Sequence, residues 1–205
     1  MHQVLEILSE ETASAGPDLV TLDDLKAALG ITGFTEDAAL EAAITWQSRI
    51  IAEYCDRRFG RAEAMEIFTF DRGEILPNRS ALTLSLYPVA EISEVSSAGA
   101  TAADYELDPA TGRLWTAGCW TGAVSVIYSG GYVLPEQGPA RLARAVIEAV
   151  NEGRTIGSRD PSIREVQHGD TRISYFTSST SSASSGFLSA PVIDLIRPFR
   201  RLHVA

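Results

Sequence analysis

Little in this chain of 205 residues suits redox, metal or phosphate chemistry. Its two cysteines, Cys55 and Cys119, lie 64 positions apart without neighbouring histidines, whereas metal sites draw on Cys and His clustered at short spacing. No metal site is expected. The two thiols read as buried and free in a reducing compartment, with a single disulfide between them as the alternative. There is one lysine, Lys26, and no Gly-rich run closing on Lys-Ser or Lys-Thr, so phosphate cradling is unsupported. Histidines number three: His2 and His203 lie near the termini and His168 in an expected loop, all read as solvated rather than as general bases. No run approaches the roughly 20 apolar residues of a membrane span, so a soluble chain with no membrane partner is expected. The opening Met-His-Gln-Val-Leu-Glu lacks the basic-then-apolar layout of a signal peptide, and export by that route is not expected.

What is present is apolar surface and acid. An apolar share of 45% allows a core, either in one moderately large domain or in a small one with appendages. The net charge is −10 and unevenly placed: residues 1–60 hold eleven acids against four bases, while the last ten residues hold three arginines and no acid. Coating nucleic acid takes clustered Lys and Arg, which this chain lacks. An acidic surface of this kind serves solubility, or lines a passage along which DNA slides without sticking.

Residues 2–13 form a short amphipathic element, closed by Ser14-Ala15-Gly16-Pro17. Thr21 caps a helix over 22–29 with Asp23 and Asp24 at its positive end, and Gly30 terminates it. Thr35 repeats the device for the longest helix, 35–58. Its stripe is Leu40, Ile44, Gln47, Ile51, Tyr54 and Cys55, widened by Ala43, Trp46 and Ile50. After Gly60 the period changes to two. Strands are expected over 64–71, 81–86, 91–95, 105–107, 112–115 and 123–128, with Asp108-Pro109-Ala110-Thr111-Gly112 as a compact hairpin turn. A third helix over 139–151 carries Leu142, Val146, Ile147 and Val150, and 163–177 reads as a strand pair or an extended arm. Helices, strands, a helix and an arm in that order argue an α+β fold, a small helical bundle with an inserted antiparallel β segment at about 64–133 and an extended C-terminal arm.

From Thr177 to Ser185 eight of nine residues are Ser or Thr. Such a stretch, taken as 177–186, cannot bury enough apolar surface to offset its ordering entropy and reads as a tether. The tail at 187–205 is apolar and basic, and either grips a partner or packs as a helix on its own domain. A nucleophile needs a base and an oxyanion hole on rigid structure, and the tether's hydroxyls have neither. The acid pairs Glu10/Glu11, Asp23/Asp24 and Glu36/Asp37 sit at helix ends, where dipole compensation accounts for them. Asp56-Arg57-Arg58 is a possible binding patch or the cationic close of the long helix. Trp115, Cys119, Trp120, Tyr128 and Tyr132 read as core and hairpin packing. No enzyme and no cofactor emerge.

Four blocks together resemble the head–tail connector (adaptor) proteins of tailed phages and phage-derived gene transfer agents. They are LVTLDDLKAALGIT…TEDAALEAAITWQSRIIAEYCDRRFG (19–60), LYPVAEISEV…DYELDPATGRLW (86–115), VSVIYSGGYVLPEQGPARLARAVIEAV (124–150) and VIDLIRPFRR (192–201). The resemblance covers most of 19–201 and is carried by the order and spacing of the blocks. Residues 1–18 and the Ser-rich stretch depart from it. It implies a non-catalytic virion protein at the head–tail interface, assembled in the host cytoplasm. Copies would form a ring, commonly of twelve, under the portal protein, with a stopper or tail-completion protein below and DNA passing through the lumen without specific binding. It further implies that Phe187, Leu188, Val192, Ile196 and Phe199 anchor the tail in the portal while Arg200 and Arg201 pair with portal acids. Given such a ring, the acid-rich helical region is expected to contribute Glu36, Asp37 and Glu41 to the lumen, where negative charge keeps DNA mobile. The alternative is a monomeric bacterial binding module whose C-terminal helix packs on its own core. A hydrolase with an unrecognised site stands third.

Overall fold

The structure, a computed structural model, describes residues 2–10, 18–70, 80–102, 104–157, 165–168, 171–174 and 188–201. It is mixed α+β, with helices and antiparallel sheets as the pattern of periods implied. The chain divides into two compact units, a β unit of 1–17 and 56–138 and a helical unit of 18–55 and 139–205.

In the β unit, β1 (His2–Glu10), β2 (Ala62–Thr69), β4 (Val89–Ser97), β5 (Ala100–Thr101) and β8 (Val124–Gly130) form an antiparallel sheet in the order β1-β2-β8-β4-β5. A second sheet has the order β3-β7-β6, from β3 (Ala81–Thr83), β6 (Glu106–Asp108) and β7 (Arg113–Trp115). Alternation decides which side chains enter the core. Ala62, Ala64 and Phe68 of β2 and Val124, Val126 and Tyr128 of β8 point in, and meet Leu82, Leu84, Leu86, Val95 and Leu114 in one cluster. The N-terminal segment is therefore amphipathic at period two, and it extends this sheet rather than standing apart.

Two connections in the unit rest on particular residues. The 108–112 turn forms as its sequence implied: the Asp108 carboxylate accepts from the Ala110 N–H at 3.1 Å and the Thr111 hydroxyl at 2.6 Å, and Gly112 takes φ 68°. At the end of β8, a Cβ on Gly130 would stand 2.2 Å from the Leu86 carbonyl oxygen. Only glycine lets the Leu86 backbone close over that strand.

The helical unit contains α1 (Leu22–Leu29), α2 (Asp37–Cys55), α3 (Ala140–Gly157), a hairpin of β9 (Glu165–His168) and β10 (Thr171–Ser174), and α4 (Ala190–Ile196) followed by a 3-10 turn, Arg197–Phe199. Thr21 caps α1, its Oγ1 accepting from the Asp24 N–H at 3.0 Å, and Gly30 ends it at φ 68°. The second cap differs from expectation. The first bond of α2 runs from the Leu40 N–H to the Glu36 carbonyl, which leaves Thr35 one residue outside the cap position. His168 closes β9 rather than sitting in a loop. The core is Leu19, Val20, Leu25, Leu40, Ile44, Ile51 and Cys55 with Leu142, Ala145, Val146, Val150, Leu188, Val192 and Ile196.

Trp46, read as widening the buried stripe, is 61% exposed. At about 100° per residue it lies opposite the line through Leu40, Ile44, Ile51 and Cys55, so the stripe is narrower than the one read from the sequence. Cys119 is exposed and Cys55 buried, both as free thiols, so only one of the expected buried pair is buried.

Candidate docking surfaces

The C-terminal tail splits into an inner and an outer face. Leu188, Val192 and Ile196 are buried in the helical unit at 5%, 0% and 0% exposure, against α3. Its backbone is tied down as well: the Arg201 N–H donates to the Cys55 carbonyl at 2.9 Å, filling an acceptor that the end of α2 would leave open. Ser189 donates to Glu152 Oε1 at 2.7 Å. The outer face carries exposed Arg197 and Arg200, with Phe199 and Arg201 half-buried, and the Arg200 guanidinium sits 5.4 Å from the centre of the Tyr54 ring. Phe187 and the 177–186 tether lie outside the described residues. Of the seven tail residues singled out in the sequence, three thus face the chain's own core and three face outward or lie at its margin.

The three acids are held unequally. Asp37 Oδ1 is 2.7 Å from Nζ of Lys26, a largely buried cation that also stacks 4.6 Å from the Phe34 ring. Glu36 Oε2 is 2.5 Å from Arg154 Nη1. Glu41 is exposed, which makes it the acid of the three with the least compensated charge. Near it, burial raises the carboxyl pKa of Asp18, opposed by the Thr45 hydroxyl and the Arg49 charge.

The Asp56-Arg57-Arg58 patch is not an open basic surface. Arg57 is buried, its guanidinium 3.4 Å from the Tyr87 ring centre and flanked by Phe59 and Tyr132 at 5.3 and 5.8 Å, and it donates to the Tyr87 carbonyl. Arg58 pairs with Glu10 of β1 at 2.5 Å. Trp120 and Tyr128 are buried as expected for packing.

A polar centre that pattern reading passed over lies inside the β unit. Glu66 occupies an inward position of β2 at 0% exposure. Its carboxylate accepts from the Ser85 N–H at 2.9 Å, from the Tyr128 hydroxyl at 2.8 Å, and from the Ser85 hydroxyl and the Gln3 side chain. The Tyr128 oxygen in turn accepts from the Leu86 N–H at 3.0 Å. Burial, then the Glu66 charge, push the Tyr128 phenol above its ordinary pKa. With its oxygens filled by donors, this carboxylate braces β1, β2, β8 and the 85–86 segment together. The signal was a lone acid at an apolar beat of β2.

No family model matches the chain, and no curated protein matches it in sequence. Solved structures do resemble it. A chain in the neck of an empty gene transfer agent particle, treated with C6 symmetry, aligns at TM-score 0.56 and 19% identity over 98% of this chain and 97% of that one. One in the virion of a native gene transfer agent particle aligns at TM-score 0.54 and 19% identity over 98% and 97%. A chain from the neck of the native particle, with C12 symmetry, aligns at 0.50 and 16% over 97% and 98%. At these identities the likeness establishes a shared fold along the whole length.

Proposed function

We propose that this chain is a structural head–tail adaptor of a tailed phage or gene transfer agent. Copies form a ring of twelve under the portal protein, bind a stopper or tail-completion protein below, and pass DNA through the lumen without binding it specifically. The observation that carries this reading is end-to-end likeness to chains of gene transfer agent necks, with neither chain leaving a large unmatched part. A net charge of −10 suits a passage for DNA. The protein works in the virion at the head–tail interface, after assembly in the host cytoplasm, without catalysis or cofactor.

In this reading the outer face of the tail, Phe199, Arg200 and Arg201, meets portal acids in the docked form. The inner anchors Leu188, Val192 and Ile196 reach the portal, with Phe187, only if α4 leaves its groove. Glu36, Asp37 and Glu41 face the lumen. Charge reversal at the three acids is expected to impair DNA passage and ejection; unchanged ejection removes the lumen role.

Electron microscopy of particles from a producer lacking the gene tests the joining role. DNA-filled or leaking heads beside free, complete tails are expected, and normal tailed particles refute it. A second reading, a binding module with its C-terminal helix packed on its own core, is favoured by the burial of Val192 and Ile196 within the helical unit. It is the reading that normal particles would leave standing.

A further inference from the structure

The five-stranded sheet of the β unit treats its two edges differently. At one end β5 is two residues long, and β4 beside it is interrupted by register shifts between Val89 and Glu91 and between Ile92 and Glu94. Shortness and bulges of this kind keep an edge from recruiting another strand. At the other end β1 runs for nine residues, with one shift between Ile7 and Ser9 and neither proline nor lysine along it. Among the described residues its outer edge pairs with no strand, and none of its residues is buried. Leu5 and Ile7 pack on the core cluster, whereas Val4 and Leu8 are each 46% exposed and flank exposed Glu6. A long edge of this kind offers its alternate N–H and C=O groups to one kind of partner, an extended strand.

The chain also owns strands in need of a sheet. β9 and β10 form a two-stranded hairpin that joins neither of the larger sheets, and among the described elements no helix lies along it. Two strands by themselves are marginal in water, and a third with an apolar face supplies what they lack. The sequence of β10 fits the β1 edge. Thr171 and Ile173 alternate with Arg172 and Ser174, at the period on which Leu5 and Ile7 alternate with Val4 and Glu6. A register that sets Arg172 opposite Glu6 therefore puts Ile173 in the row of Leu5 and Ile7, whichever way the strands run. Charge matches as well: β1 holds two acids and no lysine or arginine, β10 one arginine and no acid. Of the two acids, Glu10 already pairs with Arg58. Within its own chain β10 pairs with β9 alone, so the strand that fills the edge comes from another copy.

We propose that β10 of a second copy adds to the β1 edge and extends the five-stranded sheet from one chain into the next, with Arg172 opposite Glu6. The contact joins two different patches of identical chains, so it propagates from copy to copy until it closes. Its setting rests on the ring reading, but the contact belongs to the purified full-length chain. It is tested by sedimentation velocity together with residue-resolved amide hydrogen exchange over a concentration series. Wild type associates, and as concentration rises alternate amides of 2–7 and of β10 slow, because an added strand takes only the outward N–H groups. Glu6→Arg alone and Arg172→Glu alone each weaken association by about tenfold. Glu6 is exposed, so Glu6→Arg keeps the wild-type melting temperature in dilute solution. An equimolar mixture of the two variants recovers association, because each contact between unlike copies then pairs opposite charges. The double variant recovers it by itself.

A wild type that stays monomeric to its solubility limit overturns the proposal, as does a mixture that fails to recover. Slowed β1 amides that do not depend on concentration also overturn it, since the strand on the edge is then the chain's own. So does protection of β1 that rises with concentration while Arg172→Glu associates as wild type does, which reports two β1 edges meeting each other. Microscopy of the deletion strain reads the adaptor role independently. Normal particles beside a restored mixture refute the adaptor and leave the contact; joining-defective particles beside a failed mixture do the reverse.

Discussion

If the tail belongs to the core of its own helical unit, trimming one inner side chain must unfold that unit sooner. Ile196 is fully buried against the helices and its carbonyl lies 3.9 Å from the Cys55 sulfur. Replacing a buried Ile by Ala removes its transfer energy and leaves a cavity, about 2–5 kcal/mol together. For a chain of this size each kcal/mol moves the melting temperature by roughly 2–4 °C, so Ile196→Ala is expected to lower it by about 4–20 °C. Leu188→Ala should behave alike. Arg200→Ala, on the outer face, should stay within about 0.5 kcal/mol of wild type. The assay is calorimetry at one fixed protein concentration, because self-association would itself shift the midpoint. Two inner variants that melt within about 1 °C of wild type would refute the packed tail. They would also remove the energetic objection to a portal-docking arm, which must otherwise give up these contacts before it binds.

Three further outcomes follow from the β unit and the acid end of α2. Glu66→Ala strands the donors of Tyr128, Ser85 and Gln3 in the core and should cost about 2–5 kcal/mol by denaturant titration, far more than Glu63→Ala on the exposed side of the same strand. The Tyr128 phenol keeps its proton in the folded chain where the unfolded chain, at pKa 10.0, loses it. Stability present below that pH should therefore decline as pH rises past it, and a Tyr128→Phe variant, though less stable at neutral pH, should show a shallower alkaline decline in its melting temperature. Asp37→Ala leaves the Lys26 ammonium largely buried without its carboxylate and should cost about 1–3 kcal/mol in thermal melts, whereas Glu41→Ala should be near neutral.

Local chemistry determined most of the element list from sequence alone. The change from period 3.6 to period two after Gly60, the Thr21 cap, the Gly30 stop and the 108–112 turn depend on residues within a few positions of one another, and each appears in the structure as its own residues dictate. The apolar stripe of α3 was equally legible, because one helix face needs only its own spacing. Residues 2–10 were legible as amphipathic, but not as a partner of β2. Strand pairing joins His2 to Thr69 across the chain, and no local signal reports it.

The docking surfaces were decided by tertiary packing in the same way. An apolar, arginine-rich tail reads identically whether it grips a partner or its own body, and only the groove beside α3 makes Val192 and Ile196 interior. Glu36 and Asp37 read as acids at a helix end until folding brings Arg154 and Lys26 to them, while Glu41 is exposed. Trp46 read as widening the buried stripe of α2, and its angle on the helix put it in water. Glu66 drew no notice among the apolar beats of its strand, and donors from three distant segments made it the centre of a core. Sequence states which groups a chain owns and their local rhythm; burial and charge pairing are sums over neighbours that only the closed fold supplies.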